Sequence, residues 1–492
     1  MNTSSFLESH TSQVPALQVL QQLGYVYLAP EQVAVERRGR LGHVLLEDIL
    51  ASQLKRINRV RTKGREMPFS DDAIARAIEA LRSVPYDGLC RTSEKIYDLL
   101  TLGMSIDQTI EDETKGRSLR FIDWEHPRNN SFHVTAEFKV ARSGSHETRR
   151  PDIVCFVNGI PFIVIECKRR EEKDSLVAAI KQHLRNQEEG EIPHLYTYAT
   201  LLLSLNKEEG RYGTTGTPEK FWAEWKEMHD VAADVRKLVN LTPRREEHEK
   251  LFTGEFAYAR DYFESLAAAG PREISGQDHL LCAVCGPDRL IEIAHQFIIF
   301  DDGGTTKKVA RYQQYFAVRK SMDRIRQRDA EGRRRGGVIW HTQGSGKSLT
   351  MVMLGKALAL DGDIANPRIV LVTDRIDLDE QIWKTFHQCG KDPEQAKTGR
   401  HLAELLSDDR VAVITTVLEK FGAAAKANET FRNLNSDIFV LVDESHRSQY
   451  GEANIRMMKA LPNACFVGFT DTPLMKKEKN TAQKFGGFIE PA

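Results

Sequence analysis

Two short motifs stand fourteen positions apart (166 − 152): Pro151-Asp152 and Glu166-Cys167-Lys168. The residues around them read as two apolar, β-branched strands, Ile153 to Val157 and Phe162 to Ile165, with Asn158-Gly159 between them as a hairpin turn. Asp152 therefore stands at the open end of one strand, and Glu166 and Lys168 at the open end of the other. Residues two apart on a strand share a face. One corner of a small sheet then collects two carboxylates and an ammonium, a set able to hold Mg2+ and steady phosphate charge. A strict two-residue turn pairs Val157 with Ile160 and Asp152 with Ile165, which turns Glu166 away. For the two acids to share a cation, the hairpin needs one extra residue. A bulge at Gly159 or a three-residue loop would supply it, and Pro161 suits an irregular strand start.

A second cluster lies downstream. Gly337 to Trp340 reads as a short strand, His341-Thr342-Gln343-Gly344-Ser345-Gly346-Lys347-Ser348 as a phosphate-binding loop, and Leu349 to Leu360 as a helix. Backbone N–H groups at Gly344, Ser345 and Gly346 would approach the phosphates of ATP. Lys347 would reach the β/γ oxygens, and Ser348 would ligate Mg2+. Ile438 to Val442 reads as a buried parallel strand, with Asp443-Glu444-Ser445-His446 at its C-terminal end. There Asp443 would hold Mg2+ and Glu444 would polarise the attacking water. Gln314 could read adenine through its amide. His341 stands where the usual loop begins with glycine.

These residues need scaffolds to position them. At 492 residues, with 41% hydrophobic and 28% charged, the chain has length for about three domains. The net charge of −1 excludes an overall basic field, so nucleic-acid binding must come from local patches. Seven scattered cysteines fit a reducing cytoplasm. No apolar run approaches a membrane span, and the polar start is not a signal peptide. Cys282-x-x-Cys285 lacks a second pair and reads as helix filler.

Thr11 to Leu23 reads as a helix ending at Gly24. Leu46 to Leu81 reads as largely helical with a break near Pro68, and carries the densest basic run of the first domain, Leu54 to Arg65. That run is either a solvated helix face or a phosphate-contacting arm. Phe121 to Val140 reads as one or two strands, Lys173 to Gln187 as a helix and Leu195 to Leu205 as a strand. The expected division is an α/β domain to residue 240, a helical connector over 241–295, and from 296 an α/β layer with a parallel sheet.

In order and spacing, these motifs resemble the R (restriction) subunit of type I restriction-modification enzymes. The resemblance rests on Asp152…Glu166-Cys167-Lys168, Arg311-Tyr312-x-Gln314, the His341–Ser348 loop, Asp443-Glu444-Ser445-His446 and Thr470-x-Thr472-Pro473. It implies a restriction-endonuclease-like nuclease domain followed by one RecA-like lobe of a superfamily 2 helicase. The implied function is ATP-dependent translocation coupled to Mg2+-dependent cleavage of unmodified double-stranded DNA. The implied partners are specificity and methyltransferase subunits. Glu8 resembles the family's N-terminal acid and Gln182, in Gln182-x-x-x-Asn186, its nuclease-associated glutamine. Asn186 stands where many relatives have Tyr, and Asp471 replaces a usual Gly. The chain ends 19 residues past Pro473 (492 − 473), so the expectation is a fragment that binds ATP weakly and cannot translocate alone. Type III and other helicase-nucleases, which tend to carry the nuclease after the motor, and a non-catalytic DNA-binding assembly subunit are the alternatives.

Overall fold

The computed structural model describes residues 7–62, 64–110, 113–169, 174–342, 346–373, 379–427, 432–443, 451–470 and 485–489. The fold is mixed α/β and divides into two compact units. One comprises Met1–Ile298 with Gly304–Val309, and the other Ile299–Gly303 with Ala310–Ala492. Residues 241–295 fall in the first unit.

In the first unit, six strands form one sheet whose spatial order follows the chain: β1 (Val26–Tyr27), β2 (Phe132–Ala136), β3 (Ile153–Val157), β4 (Ile160–Cys167), β5 (Leu201–Leu205) and β6 (Gly210–Gly213). β1–β2 and β4–β5 run parallel; the other neighbours run antiparallel. β3 and β4 are buried at every position. A strand covered on both faces has no polar side to alternate with, which explains their unbroken apolar runs. Helix α1 (Val14–Gln22) packs near β1 and β2, and helix α2 (Ser175–Asn186) lies on β4 and β5.

Two stretches differ from the sequence reading. Leu46 to Leu81 is not one helical region broken at Pro68. It is a helix (Glu47–Ile57), a hairpin of Arg59–Thr62 with Arg65–Pro68, and a second helix (Asp71–Arg82). Arg59-Val60-Arg61-Thr62 alternates with period two, and Gly64 at φ 79° closes the turn. Met104–Ile110 and Glu113–Leu119 form another hairpin. Within Leu195 to Leu205 only Leu201–Leu205 is strand, because Pro193 starts a short helix, Pro193–Tyr196. Cys282 lies half-buried within the helix Gly276–Val284 and Cys285 is buried at its C-terminal end, with both thiols free.

The core of this unit also holds a lysine. Lys307 is buried, its Nζ donating to Ser93 Oγ at 3.0 Å and to the Ala199 carbonyl at 2.8 Å. Burial pulls its pKa down to about 7, against a weak opposing pull from Cys90. The unfolded chain therefore binds the extra proton between pH 7 and the ordinary lysine range while the folded chain does not, so this residue adds stability as pH rises through that window. A fall from 10.5 to about 7 corresponds to roughly 5 kcal/mol. Lys307→Met is expected to flatten the rise in unfolding free energy between pH 7 and 10. Urea melts of both proteins across that range check this, and parallel profiles would refute it.

The second unit is built on seven strands that all pair in parallel. They are β7 (Gly337–Trp340), β8 (Arg368–Val372), β9 (Pro393–Gln395), β10 (Val413–Thr416), β11 (Ile438–Val442), β12 (Cys465–Thr470) and β13 (Phe488–Ile489). Their order is β9-β10-β8-β11-β12-β7-β13. Helix α3 (Tyr312–Arg326) precedes β7, and helix α4 (Lys347–Leu360) follows it. α4 is buried from Thr350 through Leu358, as an apolar-all-round helix must be. Consecutive strands β7 and β8 lie apart, with β11 and β12 between them, which opens a crevice at the C-terminal edge where α/β sheets bind ligands. Among the described residues, no helix is long and apolar enough to cross a membrane.

Candidate functional sites

The β3–β4 hairpin carries the extra residue that a shared carboxylate site requires, though not where the sequence reading put it. Asn158 (φ 52°) and Gly159 (φ 83°) make a regular two-residue turn that pairs Val157 with Ile160. Glycine is needed at 159, since a Cβ there would lie 2.5 Å from the Leu46 carbonyl oxygen. The Asn158 side chain is fixed too, accepting from Ser131 N and donating to the Phe121 carbonyl and Asn130 Oδ1. The register slips between Pro161 and Ile163: Pro161 faces Phe156, but Ile163 faces Cys155. The bulged residue is Phe162. Proline at 161 has no N–H to give the ladder, so the break falls beside it. Beyond the bulge Ile165 pairs with Ile153, and one step on, Glu166 stands opposite Asp152.

The two acids meet in a dry place. Glu166 is fully buried and Asp152 is 8% exposed. Asp152 Oδ2 accepts the Cys167 N–H at 2.6 Å. Burial raises the Asp152 pKa, against the pull of the Lys168 ammonium and the Cys167 N–H. Burial also drives the Glu166 carboxyl well above its ordinary range, with the Asp152 charge and side-chain hydrogen bonding to Asp152 adding to the effect. Lys168 Nζ lies 3.9 Å from Asp152 Oδ2, 3.7 Å from Glu8 Oε2 and 2.8 Å from the Cys167 carbonyl. Burial works to neutralise Lys168, but the charges of Asp152, Glu8 and Glu166 outweigh it and raise its pKa.

Helix α2 supplies the supports. Gln182 and Asn186, four apart, share a helix face. Gln182 Nε2 donates to Glu166 Oε2 at 2.6 Å, and Asn186 Nδ2 reaches Glu166 Oε1 at 3.4 Å. His183 between them pins the helix to β5, its Nε2 donating to the Leu203 carbonyl at 2.9 Å. Burial lowers its pKa to about 4, which keeps it neutral.

Two residues of this corner escaped the sequence reading. Gln13 Nε2 donates to Glu137 Oε1 at 2.8 Å and to the Asp152 carbonyl at 3.1 Å. Glu137, at φ 51°, also donates its own backbone N–H to the Asp152 carbonyl at 3.0 Å. No sequence signal marks a glutamate that must adopt positive φ.

Among the described residues, no three His, Cys, Asp or Glu side chains cluster closely enough to hold a metal alone. A cation here would rest on Asp152 and Glu166, with carbonyl, water and phosphate oxygens completing its shell. Mg2+ favours such a shell, so the hard oxygen pair fits it. Gln182→Ala is expected to weaken Mg2+ binding at this pair about 10- to 100-fold, because outer partners orient metal-holding carboxylates. Calorimetric titration with Mg2+ checks this, and an unchanged affinity would refute it.

The second site lies on the crevice of the parallel sheet. Gly344, Ser345 and Glu444 fall outside the described residues. Gly346 (φ 85°) leads into α4, and Lys347 Nζ lies 3.2 Å from Asp443 Oδ1, at the end of β11. Both side chains are nearly dry, at 7% and 3% exposure. Ser348 stands next to Lys347 on the first turn of α4. The Gln314 amide is engaged at both ends: Oε1 accepts Arg311 N at 2.9 Å, and Nε2 donates to the Gly346 carbonyl at 3.2 Å. It caps α3 and ties that helix to the phosphate loop. His341 is buried, and burial together with the Lys347 charge lowers its pKa to about 4. A Lys and an Asp side by side, with a hydroxyl adjacent, fit a nucleotide phosphate with its Mg2+.

Comparison with known proteins agrees with both halves. Residues 5–221 match the family described as type I restriction enzyme R protein N terminus, and residues 313–491 match the SWI2/SNF2 ATPase family. A putative type I restriction enzyme MjaIXP endonuclease subunit of Methanocaldococcus jannaschii is 28% identical over 98% of this chain and 44% of its own length. The type I restriction enzyme HindI endonuclease subunit of Haemophilus influenzae is 31% identical over 96% of this chain and 43% of its own. The chain thus spans less than half the length of these curated relatives. With a paired-carboxylate corner in the first matched region and a Lys–Asp phosphate site in the second, the chain is similar over most of its length to the endonuclease (R) subunits of type I restriction enzymes.

Proposed function

We propose that this chain contributes the nuclease and the first motor lobe of an enzyme that cuts unmodified double-stranded DNA after ATP-driven translocation. In this reading residues 1–240 are a restriction-endonuclease-like domain, 241–295 its helical connector, and 296–492 a RecA-like lobe of superfamily 2. The observation that carries it is the buried Asp152–Glu166 pair, brought face to face by the Phe162 bulge with Lys168 beside it. Bound Mg2+ would supply Lewis-acid polarisation of the phosphate and a water made acidic enough to attack.

The chain's own groups do the rest. Asp152 and Glu166 hold the cation, and Gln182 and Asn186 orient Glu166. Lys168, kept charged by Glu8, steadies the phosphate oxygens. In the motor, Gly344, Ser345, Gly346 and Lys347 cradle the ATP phosphates, and Ser348 and Asp443 hold Mg2+. Glu444 positions water, and Gln314 recognises adenine. DNA specificity would come from specificity and methyltransferase subunits. The test reconstitutes the full-length subunit with those partners on closed circular unmethylated DNA. Cutting should require both ATP and Mg2+. Cutting without ATP would sink the coupling, and ATP hydrolysis with no cutting in any divalent metal would leave a motor alone.

A further inference from the structure

We propose that the cleft between the two hairpins of the first unit is a phosphate seat that grips the DNA backbone; this rests on DNA being the substrate. The cleft has a volume of about 350 Å³ and is lined by Asn58, Arg59, Arg61, Glu66, Ser118 and Arg120. Its construction follows from strand periodicity. Arg59 and Arg61 are two apart and share a face, while Val60 between them is buried. Ser118 and Arg120, also two apart, come from the end of the second hairpin.

Three guanidinium groups thus face one carboxylate, Glu66, which is the cross-strand partner of Arg61 and bonds it at 2.7 Å. Arg59 makes no ion pair among the described residues. Arg120 is held from behind, donating to Asp123 Oδ2 at 3.2 Å and to the Ile57 carbonyl at 3.3 Å. Asn58 fixes its backbone, with Oδ1 accepting Arg120 N and Nδ2 donating to the Arg120 carbonyl, both at 2.9 Å. A pre-positioned guanidinium cluster with a serine hydroxyl is the chemistry that binds phosphodiesters. At about 30 Å³ per water, the cleft has room for a phosphodiester and its hydration.

The seat is also coupled to the cutting corner. Asp123, behind Arg120, donates its N–H to Asn130 Oδ1, and the same oxygen accepts Asn158 Nδ2. Asn158 is the turn residue of the β3–β4 hairpin, whose open end carries Asp152 and Glu166. The five residues of β3 span about 17 Å, near five steps of about 3.4 Å along one DNA strand. A backbone held in the cleft can therefore continue toward the two carboxylates.

The experiment measures binding of a short duplex to this chain, without divalent metal, across a salt series. Arg59→Ala with Arg61→Ala removes two exposed charges outside the catalytic machinery. The expected result is weaker binding and a log–log salt slope shallower by about one, the signature of one lost phosphate contact. The control, Arg244→Ala with Arg245→Ala, removes two exposed charges elsewhere in the same unit and should leave the slope unchanged. An unchanged slope in the cleft variant, or an equal change in the control, would overturn the seat. So would equal weakening of the cleft variant for a polyglutamate chain, which would mark the cleft as a dock for acidic protein. If the wild type binds no duplex at all, the DNA reading itself fails, a different result from loss of the cleft alone.

Discussion

Glu166→Gln is expected to make the metal-free protein more stable at neutral pH while slowing DNA cutting about 100-fold or more. Both effects follow from one buried side chain. Its folded pKa stands well above the ordinary glutamate value because it is buried beside Asp152. Between those two values the folded state holds a proton that the unfolded state has released, so stability falls as pH rises through that window. Glutamine has no such loss. Its oxygen can still accept from Gln182, its amide can donate to Asp152, and Asn186 can turn its own amide to match. A higher Tm of the variant in chelator at neutral pH is the expected sign. The cutting loss reflects a cation site reduced to one carboxylate, and Lewis-acid assistance is worth several kcal/mol at about 1.4 kcal/mol per tenfold. Thermal melts in chelator and cutting assays in Mg2+ are the measurements. Lower stability together with intact cutting would contradict both claims.

The second large effect belongs to Lys347. Lys347→Ala removes the ammonium 3.2 Å from Asp443 and leaves a nearly dry carboxylate without that charge. The ammonium that would meet the phosphate oxygens is lost with it. ATP hydrolysis by the reconstituted enzyme should fall about 100-fold or more, since phosphate positioning and charge stabilisation are most of the catalysis in phosphoryl transfer. Cutting of closed circular DNA should fall with it, because in the proposed function the motor feeds the nuclease. Glu166→Gln, by contrast, should leave ATP turnover intact. This asymmetry tests the order of events: equal loss of both activities in both variants would mean that the two sites do not act in sequence.

Much of this was legible from residue types. Asn158-Gly159 announced the hairpin, and the apolar runs of β7 and β11 placed Lys347 and Asp443 on one sheet edge. The need for an odd offset between Asp152 and Glu166 followed from strand periodicity alone. Its location did not: Phe162 bulges because Pro161 cannot bond and because β2 and β5 fix the outer pairings, which only the assembled sheet determines. The contacts of Gln13 with Glu137 and Asp152 span more than a hundred residues of chain and carry no local pattern. The Arg59–Pro68 hairpin was readable from its alternation, but its dense charge masked the period. Gln314 was legible by type as a base contact, whereas its cap on Arg311 and its bond to the Gly346 carbonyl depend on where α3 meets the start of α4.

The Phe162 bulge sets a counting rule for the family. Side chains alternate along a strand, so a hairpin that gains or loses one residue between the two acids turns one of them to the opposite face. A change of two restores the pairing. With the same two-residue turn and single bulge, working relatives should therefore differ in the spacing between these acids only by even numbers. A natural hairpin offset by one, without a compensating bulge or change of turn length, would mark a subunit whose second acid has turned away from the first and, in the proposed function, one left with a motor but no cutting corner.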